Sequence, residues 1–140
     1  MKKHRFLALL GVTAILLPTA FSTAATAQTD AENSYLNNLY SFLQSQDETT
    51  YEMATSAMTP AQNVWAAQMF CQTFSAGMAP SEVFAVYTAS AIQEAETQGV
   101  ALTDEMAYSI GLYGGAVMNI GAAHYCPQYQ PQVQQALQAL

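Results

Sequence analysis

Met106 to Cys126 reads "MAYSIGLYGGAVMNIGAAHYC", a stretch without a single Asp, Glu, Lys or Arg. It is about as long as a bilayer-spanning helix, and Gly111 and Gly115 have the small-residue spacing of closely packed helices. A span is disfavoured by its flanks and its polar content. No Lys or Arg stands on either side, Ser109, Asn119 and His124 lie within it, and it ends at a cysteine that needs a partner. The reading that remains is the central helix of an all-α domain, apolar on most sides, with Gly111, Gly114, Gly115 and Gly121 admitting neighbouring helices. Each helical glycine costs about 0.5–1 kcal/mol, so tertiary packing must compensate.

Upstream, capping signals divide the chain into further helices. Thr103-Asp104-Glu105 opens the central one, with two carboxylates at the positive end of its dipole. Pro80-Ser81-Glu82 opens another, in which Val83, Phe84, Tyr87, Ala91 and Ala95 form the buried face before Gly99. Thr59-Pro60-Ala61-Gln62 starts a third, with Val64, Ala67, Cys71 and Phe74 on one stripe, Trp65 and Met69 widening it, and a stop at Gly77. Thr29-Asp30-Ala31-Glu32 is a capping box for a helix reaching Gln46 with Tyr35, Leu36, Leu39, Tyr40, Phe42 and Leu43 on one side. Asp47 to Met58 reads as a polar loop with room for a short helical turn. The sequence thus predicts a compact bundle of about four helices over residues 28–128, followed by a glutamine-rich tail, 129–140, that is disordered or weakly helical.

Residues 1–27 read as a secretory signal peptide: MKKHR, an apolar run, then Ala25-Thr26-Ala27 as the cleavage site. The expected location is therefore secreted or periplasmic. All three cationic side chains, Lys2, Lys3 and Arg5, lie in that segment, and the ten Asp and Glu residues lie after it. The remaining chain has no lysine or arginine with which to neutralise phosphates, which excludes nucleic acid and anionic lipid as partners. An unknown protein or a cationic component of the envelope is the partner class that its acidity allows. Once the signal is removed, no integral membrane span is expected.

Cys71 and Cys126 are the only cysteines. In an oxidising compartment each has only the other to pair with, which predicts one disulfide, between the second and fourth helices. A thiolate nucleophile at Cys126 with His124 as its base is disfavoured, because an oxidised sulfur cannot attack and residues two apart on a helix point about 200° apart. His124 reads as a helix C-terminal residue. Cys71, followed by Gly77 and Pro80-Ser81-Glu82-Val83, together with the ending of Ala122, Ala123, Tyr125, Cys126 and Pro127, resembles a family of small secreted bacterial proteins catalogued as a domain of unknown function. The resemblance implies a small helical domain with its two cysteines joined, and no activity.

No catalytic residue, cofactor site or metal site is expected, and the chain is not expected to be an enzyme. The leading expectation is a non-catalytic interaction or binding module. One alternative is a small-ligand or soft-metal binding protein, using methionines with His124. A weaker one is a carboxylate hydrolase using Asp47 with Glu52 or Glu94 with Asp104.

Overall fold

The computed structural model describes residues 28–140. The expected signal segment lies outside them. Among the described residues there are six α-helices and no strand: α1 (Asp30–Gln46), α2 (Glu48–Glu52), α3 (Pro60–Ser75), α4 (Pro80–Thr97), α5 (Asp104–Tyr125) and α6 (Gln130–Gln138). A π-turn, Met53–Ala57, follows α2, and a 3-10 turn, Pro127–Tyr129, precedes α6.

The caps sit where the sequence places them. Thr29 with Glu32 and Thr59 with Gln62 form reciprocal capping boxes at the starts of α1 and α3, each satisfying two backbone N–H groups that a helix start leaves unpaired. Thr103 Oγ1 accepts from the Met106 N–H at the start of α5. Gly77, at φ +98°, takes the left-handed conformation that terminates α3, and Gly99 does the same for α4.

Helix α5 packs against every other helix. Tyr35, Leu36, Leu39 and Leu43 of α1 meet Val64 and Ala67 of α3 and Tyr113, Ala116 and Val117 of α5 in one core cluster. A second gathers Cys71, Phe74, Val83, Met118, Ala122, Cys126 and Val133. Cys71 and Cys126 are joined in a disulfide with their Cα atoms 5.8 Å apart. A crosslink across 55 positions of sequence contributes about 4 kcal/mol by the chain-entropy model. No helix among the described residues is long and apolar enough to cross a membrane.

Two expectations need correction, and a third is narrowed to one of its alternatives. The helix count is six rather than about four, because the stretch read as a polar loop forms α2 and the π-turn and the tail forms α6. Asp47 accepts from the backbone N–H and the hydroxyl of Thr50 at 2.8 and 2.6 Å, and Met53 and Ala54 are buried under α1. Of the two alternatives for the tail, disordered or weakly helical, the helical one is seen, as α6. Val133 is fully buried in the second cluster with Leu137 packed beside it one turn on. Glutamine is a good helix former, and the two apolar residues give α6 a face. Finally, the glycines of α5 are not equivalent. A Cβ on Gly121 would stand 2.7 Å from Ala67 Cβ and 3.2 Å from Ala67 Cα, and one on Gly114 would stand 2.2 Å from the Tyr87 ring. A Cβ on Gly111 would meet nothing within 4 Å, and one on Gly115 only Leu137 at 3.5 Å, so the Gly111–Gly115 spacing is not where the helices touch.

Candidate functional site

The residues that the sequence brings to notice first are structural. His124, in the last turn of α5, lies with Nε2 2.9 Å from the Asn38 amide nitrogen and its ring 6.0 Å from that of Tyr35, fastening α1 to the end of α5. Both sulfurs are spent in the disulfide. Asp47 caps α2, so its carboxylate is already committed. No group of three or more His, Cys, Asp or Glu able to hold a metal occurs among the described residues.

The chemistry-bearing space lies elsewhere, between α3 and α4. The two helices form an antiparallel hairpin, joined by the turn around Gly77, and both rest on α5. Between them lies a half-open cleft of about 350 Å³. Trp65, Met69 and Phe70 line the α3 wall, Val86, Tyr87 and Ala91 the α4 wall, and Ile110 and Tyr113 the floor. Phe70 and Tyr87 face each other with ring centroids 5.8 Å apart at 75°. That contact fixes the register of the hairpin: the start of α3, with Gln62 and Trp65, lies opposite the end of α4, with Glu94.

The polar groups in these walls are largely satisfied inward. The Tyr87 hydroxyl donates to the Ile110 carbonyl at 3.1 Å, that of Tyr113 to Asn63 Oδ1 at 2.8 Å, and that of Thr73 to the Met69 carbonyl at 2.7 Å. Burial pushes the Tyr87 and Tyr113 hydroxyls well above the ordinary phenol pKa, so both rings stay neutral. The cleft therefore presents mainly ring faces, thioethers and methyl groups, with Gln62 and Ser90 as neutral polar groups at its border. Glu94 is the one carboxylate along it, half-buried, with Oε1 accepting from the Gln98 amide at 2.7 Å.

Met58, Met69 and Met78 all border the cleft, which would suit a soft metal only if their sulfurs converged. Met58 precedes α3 and Met78 follows it, and a helix of 16 residues is about 24 Å long. Thioethers at opposite ends cannot share one ion, so they act as polarisable, adaptable lining. Sequence periodicity assigned Trp65 and Met69 to a widened core stripe. The available signal was that α3 carries two apolar stripes: Val64, Ala67, Cys71 and Phe74 on one, Trp65, Met69 and Thr73 at i, i+4 and i+8 on the other.

No family model matches the chain, and neither the curated proteins nor the solved structures contain a match to it.

Proposed function

We propose that this protein is an exported, non-catalytic binding protein that holds a small, mainly apolar ligand in the α3–α4 cleft. The observation that carries the reading is the cleft itself. Its volume of about 350 Å³ falls in the range of small-molecule sites, and its aromatic and thioether walls match the usual lining of such sites. At about 30 Å³ per water-sized group, it admits at least roughly a dozen non-hydrogen atoms. The Tyr87, Tyr113 and Thr73 hydroxyls are tied into backbone and amide hydrogen bonds, which favours binding over reaction. The signal peptide and the disulfide support an exported protein.

Trp65, the only tryptophan of the chain, lies in the wall, so its fluorescence reports occupancy. Saturable uptake of an uncharged apolar fluorophore such as phenylnaphthylamine, with energy transfer from Trp65, is the expected result. Ala91→Phe should abolish that uptake by filling the cleft while leaving the helical circular dichroism and the melting temperature near wild type. A properly folded protein that takes up no such probe ends this reading.

A further inference from the structure

From the reading of the cleft as a small-ligand site, we infer that its occupant is a cationic amphiphile, an apolar body carrying a positively charged head that sits against Glu94. Three features of the same end of the cleft agree. First, Glu94 is the one carboxylate in the lining and is half-buried there. Gln98 occupies one of its oxygens and brings no charge. Second, Glu94 lies in the last turn of α4 (Pro80–Thr97), where the backbone carbonyls give the helix end a partial negative charge, and that turn has no basic side chain. The neighbouring N-terminus of α3 brings only a partial positive charge, and its capping box already engages the Thr59 and Gln62 N–H groups. Third, residues 28–140 contain no lysine or arginine, so no such side chain competes with a cationic ligand for Glu94.

The aromatic wall adds to this. Trp65 lines the same cleft as Glu94, and a cleft that holds both an indole and a carboxylate is a favourable seat for a quaternary or primary ammonium group. Fatty acids and anionic phospholipids have the opposite requirement. Their heads need cations that this chain lacks, and ten carboxylates repel them.

The test uses three probes with the same tail, decyltrimethylammonium, decanol and decanoate, each below its micellar concentration, titrated into the folded protein and followed by Trp65 fluorescence. Decyltrimethylammonium should bind about fivefold more tightly than decanol, the effect of one partly exposed ion pair, and decanoate most weakly. Glu94→Gln should remove the preference for the cation and leave decanol binding unchanged. Glu96→Gln, which removes an exposed charge two residues away, should retain it. Equal binding of all three probes overturns the cationic assignment while the cleft reading survives. Failure of all three overturns both. A preference that persists in Glu94→Gln overturns the placement of the head at Glu94.

Discussion

The two faces of α3 solve opposite problems. One face, with Asn63, Val64, Ala67, Cys71 and Phe74, is buried and is closed against α1 and α5 down to backbone contact, where Ala67 meets Gly121. Polar groups on it are paired as well: Asn63 donates to the Ala54 and Thr59 carbonyls and the Tyr40 hydroxyl, accepts from Tyr113 at its side chain, and its carbonyl accepts from Tyr35. The other face, with Trp65, Met69 and Thr73, is half-buried beside open space. A closed, hydrogen-bonded seam specifies the fold, and that leaves a loosely lined face free to receive something else.

The sharpest way to break this contrast is at Asn63. Asn63→Ala removes the partners of the Tyr113 hydroxyl and the Ala54 carbonyl inside the core, at about 1–3 kcal/mol for each buried group left unpaired. A loss of about 3–4 kcal/mol in urea unfolding is expected. A loss below about 1 kcal/mol would show that the network does not hold the seam.

Alkaline pH probes the same seam. Burial, with neighbouring tyrosines adding to it, holds the Tyr35 and Tyr113 hydroxyls well above the ordinary value near 10. The unfolded chain therefore releases these protons first. Stability is complete below pH 10 and declines as pH rises beyond it, by about 1.4 kcal/mol per pH unit for each tyrosine, or about 3 kcal/mol for the two. With eight tyrosines in the chain, part of the tyrosinate absorbance should appear only together with loss of helicity, and titration of all eight without unfolding would contradict the packing of the seam.

Glycine substitutions sharpen the comparison further. Gly121→Ala forces a methyl group onto Ala67 Cβ and its backbone, which should cost about 2 kcal/mol, in the usual range for overpacking. Gly111→Ala meets nothing within 4 Å and should stabilise by about 0.5–1 kcal/mol through helix propensity. Thermal melts of the two variants should move in opposite directions.

Much of the seam was legible in the sequence, because caps and a single buried stripe are local or periodic signals. Thr29, Thr59 and Thr103 mark helix starts without reference to the rest of the fold, and Cys71 with Cys126 names its own contact. The cleft was not legible in the same way. Trp65 and Met69 have the same apolarity whether a neighbouring helix covers them or not, and only the placement of α4, with Tyr87 seated on Gly114, decides which. Likewise Asp47 to Met58 looks polar, yet it folds because Thr50 turns its hydroxyl to Asp47 and Met53 finds space under α1. The tail's glutamines left disorder and weak helix both open, and Val133 and Leu137 decide for helix once the second cluster supplies a surface.

The smallest expected effect isolates the contrast most cleanly, since it comes from making one substitution on either side of it. Met53 is 1% exposed in the core cluster, whereas Met69 is half-buried beside the cleft. Met53→Ala should cost about 3 kcal/mol, the transfer of the lost side chain plus the cavity it leaves. Met69→Ala removes the same atoms but enlarges a space already open to water, so the cavity contribution falls away and a loss of less than about 1 kcal/mol is expected. Its effect should appear instead in weaker phenylnaphthylamine uptake. Equal destabilisation by the two would mean that the cleft is closed and packed in solution, and the distinction between the two faces of α3 would then disappear.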